Sequence, residues 1–191
     1  MDLPNILSIC CNVFLAVAAV AAVWAHARHS PLRVVLRFFT VLSNLLCALS
    51  ALAVALFRLG GALPDAVRLL KYAGTAGVTI TLLTVLVFLG PTIGYRVLLT
   101  GPDFWLHLAC PLLALLSYFA WDRPNLPFWT VLIGVLPMLL YAPLYLCKVL
   151  LAPEERRWKD FYGFNRGGRW RLSLLVMLAA DFLISAALWI I

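Results

Sequence analysis

Runs of roughly twenty apolar residues, the length an α-helix needs to cross a hydrocarbon core, recur six times along this chain. They cover Ile6 to Ala25, Val35 to Phe57, Ala73 to Leu89, Phe104 to Ala120, Phe128 to Cys147 and Leu172 to Ile191, and Pro, Gly and charged residues punctuate the gaps. The pattern predicts an all-α polytopic membrane protein, a bundle of six transmembrane helices. Composition agrees: 64% of residues are hydrophobic and the mean hydropathy is +1.00, against about 45–50% apolar content in soluble domains. With 12% of residues charged, too little polar sequence is left for a separate soluble unit. A single integral membrane domain over 1–191 follows, with short loops carrying nearly all the charge.

The segment Met1-Asp2-Leu3-Pro4-Asn5 lacks a basic stretch, and no small-residue cleavage site follows the first apolar run, so that run is expected to be a span and not a signal peptide. Five cysteines make no Cys-x-x-Cys pair, and neither a disulfide framework, a metal site nor a cofactor is expected. Glycine-rich phosphate loops and nucleotide fingerprints are absent too.

Cytoplasmic loops of membrane proteins retain Lys and Arg. The first, third and fifth loops hold eleven of the 15: Arg28, Arg33, Arg37, Arg96, Lys148, Arg156, Arg157, Lys159, Arg166, Arg169 and Arg171. The second and fourth hold four: Arg58, Arg68, Lys71 and Arg123. Six spans then put the odd-numbered loops in the cytoplasm and both termini outside. The fifth loop interleaves basic and aromatic residues between 154 and 171, which suits an anionic headgroup surface or a solvated loop with an aromatic belt. Nucleic acid is not an expected partner of a chain so anchored.

Polar residues inside hydrocarbon are costly, so each is a functional candidate. His107, about one turn into the fourth span, is a possible base or a packing histidine bonded to a carbonyl. Thr40, at similar depth in the second span, is a possible nucleophile or bonds the carbonyl four residues back. Ser43 and Asn44 extend a polar stripe from Thr40, fit either to line a pocket and donate to an oxyanion or to join helices. Asp103 either fixes the His107 imidazole from four residues away or caps the fourth span, and Gly101-Pro102-Asp103 favours the cap. Trp105 offers an indole donor, and Arg37, three residues before Thr40, could clamp a substrate carboxylate or reach headgroups. Asp181 sits mid-span, either protonated against a polar neighbour such as Asn12 or Tyr141 or on an ion or proton pathway. Pro111, Pro137 and Pro143 should kink spans four and five and free carbonyls toward a cavity.

Phe38-Phe39-Thr40-Val41-Leu42-Ser43-Asn44 opening the second span and Trp105-Leu106-His107 opening the fourth resemble the androgen-induced-gene family of multi-span membrane threonine hydrolases and its bacterial relatives. The resemblance extends over about residues 1 to 150 through the number and order of spans; the basic fifth loop and Asp181 lie outside it. It implies cleavage of fatty acid esters of hydroxy fatty acids within the bilayer, with Thr40 as nucleophile and His107 as its partner. Asn44, Ser43 and Trp105 are then the nearest oxyanion donors, and Asp103 supports the histidine. The same chemistry could pass the acyl group to another alcohol. The competing expectation is a small membrane transporter or lipid-binding protein using Asp181 and the proline-kinked helices.

Overall fold

The computed structural model describes residues 2–123 and 125–191. Six helices are long and apolar enough to cross a membrane: α1 Leu3–Ala27, α2 Phe39–Leu59, α3 Asp65–Ile93, α4 Pro102–Asp122, α5 Phe128–Leu151 and α6 Trp170–Ile190. The all-α six-helix bundle is therefore present, and among the described residues there is no strand. Local chemistry sets the ends. Asp2 caps α1 by accepting the Asn5 amide at 3.1 Å, and Pro4 stands in the first turn. Phe38 is extended and breaks the chain before α2.

The expected third span began at Ala73, whereas α3 begins at Asp65, two turns earlier. Lys71 is thereby a fully buried residue of the bundle core and not a loop residue, and Arg58 lies in the last turn of α2. A charge read as a boundary is instead paired across the bundle.

The central helix is α3, which packs against α2, α4, α5 and α6. Small residues allow close approach where α1 to α4 meet: Ala16, Ala19, Cys47, Ala48, Ala51, Cys110 and Ala114 form one buried cluster. A Cβ added at Gly74 would lie 2.7 Å from Ser50 Oγ and 3.1 Å from Cys47 Cα, so only glycine fits that α2–α3 contact.

Helix α6 stands apart. Only 17% of its most apolar stretch is buried, against 56% for α3. Its C-terminal half is tied down by Tyr72, whose hydroxyl donates to the Ser185 carbonyl at 2.6 Å, and by the Trp189 indole, which donates to the Leu126 carbonyl at 2.7 Å. Its N-terminal half borders a groove between itself and α3.

Three spans contain π-helical turns, at Val85–Leu89 in α3, Trp105–Ala109 and Tyr118–Asp122 in α4, and Cys147–Leu151 in α5. The turn at Trp105–Ala109 has an identifiable cause. Pro111 has no N–H to give the carbonyl five residues back, and the Cys110 N–H goes to the Trp105 carbonyl. The Leu106 carbonyl is left without a helical partner, and Asn44 of α2 donates to it at 3.0 Å. The kink expected from Pro111 thus becomes a helix–helix bond beside His107.

Candidate functional site

Thr40 is the second residue of α2, buried, and lines a narrow cleft of about 20 Å³, room for about one water, bounded by Phe39, Thr81, Thr84, Met138, Tyr141 and Tyr162. The first N–H groups of a helix have no intrahelical acceptor and form its positive end. The Thr40 hydroxyl therefore sits where negative charge is favoured. One of those donors, the Phe39 amide, reaches the Tyr162 hydroxyl at 2.9 Å.

His107 is buried in the π-helical turn of α4. Its Nδ1 lies 2.8 Å from the Leu98 carbonyl oxygen, an atom that can only accept, so in the neutral ring Nδ1 carries the proton and Nε2 the lone pair. Asp103 Oδ1 is 3.8 Å from the same Nδ1 and 3.0 Å from His26 Nε2. The capping role read for Asp103 is corrected: Gly101 precedes the first turn of α4, no side chain caps it, and Asp103 turns to the two histidines instead.

Asn44 ties the two segments together. Its Nδ2 donates to the Thr40 carbonyl at 2.7 Å and to the Leu106 carbonyl at 3.0 Å, while its Oδ1 is buried with no partner. Both amide hydrogens are thus committed to backbone. Ser43 Oγ donates to the Thr40 carbonyl at 3.1 Å and lies 3.0 Å from Thr81 Oγ1. Trp105 is partly exposed and packs edge-on against Phe14 of α1. Among the described residues no hydrogen bond joins Thr40 to His107, and His107 does not line the Thr40 cleft; Asn44 bridges the carbonyls of Thr40 and of Leu106, the residue before the histidine.

The fifth loop folds over this end of the bundle. Its exposed residues include Arg156, Arg157, Lys159, Arg166, Arg169 and Arg171, while Trp158, Phe161, Tyr162 and Phe164 pack inward against Phe39, Tyr141 and Tyr145. Asp160 organises the turn by accepting the Tyr145 hydroxyl and the Phe164 amide, both at 2.9 Å, and the Asn165 amide at 2.7 Å. The Arg37 guanidinium lies 5.5 Å from the Trp158 ring centre, and its carbonyl accepts the Tyr141 hydroxyl at 2.7 Å.

Beyond the Thr40 cleft lies the open groove between α3 and α6, of about 660 Å³. Cleft and groove share Thr84, Tyr162, Phe164 and Met177. The groove walls are almost wholly apolar, and several of them, Val87, Leu172, Val176 and Leu183, are more than half exposed.

At the opposite end of the bundle is a polar cluster that the sequence did not reveal. Asp122 accepts Ser8 Oγ and Asn12 Nδ2, each at 2.7 Å, and Arg58 at 3.0 Å. Lys71 Nζ donates to Asn12 Oδ1 at 2.7 Å and Ser117 Oγ at 2.6 Å, with Asp122 Oδ2 at 3.8 Å. Four helices, α1 to α4, contribute. Asp181 belongs to neither site; it is buried, both of its oxygens lack a hydrogen-bond partner, and neither Asn12 nor Tyr141 bonds to it.

No family model, no curated protein and no solved structure matches this chain.

Proposed function

We propose that this protein is a membrane-embedded lipid ester hydrolase with Thr40 as nucleophile and His107 as base, cleaving fatty acid esters of hydroxy fatty acids or a related lipid ester. The reading is carried by the position of Thr40, a buried residue in the first turn of α2, in a narrow cleft that shares walls with a large apolar groove. A lipid entering sideways between α3 and α6 would keep its chain among Leu, Val and Phe side chains and bring its ester to the threonine.

A threonine hydroxyl needs a base to become a nucleophile at neutral pH. Nε2 of His107 has its lone pair available because the Leu98 carbonyl holds the other nitrogen as N–H. In this reading Thr40 Oγ bonds to the ester carbon, its proton goes to His107 Nε2, and the departing alkoxide takes that proton to leave as alcohol. Water, deprotonated by His107, then releases the fatty acid and restores Thr40. Arg37, which stacks on the Trp158 ring, is the residue proposed to meet a substrate carboxylate. The odd-numbered loops face the cytoplasm in this reading, and the exposed basic residues of the fifth loop meet anionic headgroups.

The test is release of hydroxy fatty acid from a defined lipid ester by the purified protein in nanodiscs. Thr40→Ala should lower turnover about 10³-fold or more, and His107→Ala roughly 10²- to 10⁴-fold. Turnover that survives both substitutions discards the hydrolase.

One observation favours a second reading, a small transporter or lipid-binding protein: the two unpartnered, buried oxygens of Asp181. In that case Asp181→Asn abolishes substrate or proton movement in liposomes and Thr40→Ala leaves it intact. The reverse pattern rejects transport.

A further inference from the structure

An acyl transfer at Thr40 needs a hydrogen-bond donor for the oxyanion, and each donor suggested by the sequence is engaged elsewhere. Both Asn44 hydrogens go to the Thr40 and Leu106 carbonyls. Ser43 is shared between the Thr40 carbonyl and Thr81. Trp105 packs on Phe14 toward α1 and does not line the Thr40 cleft.

Tyr162 meets the requirement. It lines both the cleft and the groove, so its hydroxyl stands where a substrate ester passing from one to the other would react. Its oxygen already accepts the Phe39 amide at 2.9 Å, which fixes the phenol above the first turn of α2, one residue from the nucleophile. The ring is held by Tyr145 and Phe161, at centroid distances of 5.3 and 4.8 Å, and the Tyr162 amide donates to the Tyr145 hydroxyl at 3.2 Å. Asp160 shapes the turn that presents it. The Tyr162 oxygen acts as acceptor for the Phe39 amide, with the Thr40 and Tyr141 hydroxyls beside it.

We infer that Tyr162 is a catalytic residue that donates its phenolic hydrogen to the oxyanion formed at Thr40, so that the fifth loop completes the active site. This rests on the hydrolase reading above. As Thr40 Oγ bonds to the carbonyl carbon, the C=O π pair moves onto the carbonyl oxygen and the Thr40 proton moves toward His107. Tyr162 lends a hydrogen bond without giving up its proton, and the bond weakens again when the carbonyl re-forms and the alcohol leaves. Burial pushes the phenol above its ordinary pKa, opposed by the Phe39 amide and by the Thr40 hydroxyl and backbone beside it. The hydroxyl therefore keeps its proton at neutral pH.

The test uses the full chain in nanodiscs and a long-chain p-nitrophenyl ester as probe. Tyr162→Phe keeps the ring and removes the donor; kcat should fall ~10²- to 10³-fold with KM within about threefold. A long-chain boronic acid, which forms a tetrahedral adduct on a hydroxyl nucleophile, should lose affinity by a similar factor. A difluorotyrosine at 162 keeps the fold and is a more acidic phenol, so the alkaline limb of the kcat profile should move to lower pH. Unchanged kcat and boronate affinity in Tyr162→Phe, or an unmoved alkaline limb, with Thr40→Ala inactive, overturns the Tyr162 assignment and leaves the hydrolase standing. Undiminished turnover in Thr40→Ala, or no turnover by the wild type, overturns the hydrolase and this inference together.

Discussion

The two ends of the bundle treat buried polar groups in opposite ways. At the end bearing Lys71 and Asp122, donors and acceptors from α1 to α4 satisfy one another, with Arg58 Nε the unpaired atom of the network. At the end bearing Thr40, valences are left over: Asn44 Oδ1 has no partner, the His107 ring bonds through Nδ1 alone, and a narrow cleft opens at Thr40 on the side of α3, α5 and the fifth loop. A saturated network in a low-dielectric interior holds helices in register, because any rearrangement strands a charge. We read the first end as architecture; the second is where the proposed hydrolase would place its chemistry.

Substitutions can break that contrast. Asp122→Ala strands Lys71 and Arg58 and should cost ~3–5 kcal/mol in reversible unfolding from detergent micelles. Combining it with Lys71→Met should destabilise less than the sum of the two single changes, since one uncompensated charge is removed. Additive losses would mean that the pair is not coupled. Neither change should alter the KM of the folded fraction for an ester probe; a large KM shift would move function into the polar cluster.

Asn44→Ala leaves the Leu106 carbonyl unpaired and should cost ~1–3 kcal/mol. It also loosens the link between α2 and the histidine, so kcat should fall with it. Full activity would show that Asn44 is only interhelical glue. Gly74→Ala pushes a methyl against Cys47 and Ser50 and should cost ~1–3 kcal/mol, read as a lowered unfolding midpoint with an unchanged KM. The smallest effect belongs to Asp181→Asn. With no partner to lose, it should be neutral or stabilising in the same unfolding experiment; a clear loss would reveal a partner of the carboxylate.

Much of the fold is written in hydropathy. Five of the six helix starts fall within four residues of where the apolar runs place them. The sixth, α3, begins at Asp65, and Lys71 is accommodated within it by groups 46 to 59 residues away in the chain, the acceptors Asn12 and Ser117 and the Asp122 carboxylate. No local pattern reveals such pairing. Thr40 and His107 were legible as polar residues in apolar surroundings, and their similar depth followed from span order. The engagement of Asn44 follows from Pro111, whose missing N–H is plain in the sequence, but the helix that would supply the replacement donor is not. Tyr162 lay hidden because a basic, aromatic loop reads as headgroup-facing surface. That its aromatic half folds inward while its basic half stays exposed depends on Asp160 closing the turn.

The central claim is covalent and can be met directly. The protein is incubated with a slowly released acyl ester, quenched in acid, digested and analysed by mass spectrometry. An acyl group is expected on the peptide carrying Thr40, absent from Thr40→Ala and far slower to form in His107→Ala, which lacks the base for acylation. An acyl adduct on any other residue, or steady ester hydrolysis by Thr40→Ala, would contradict it.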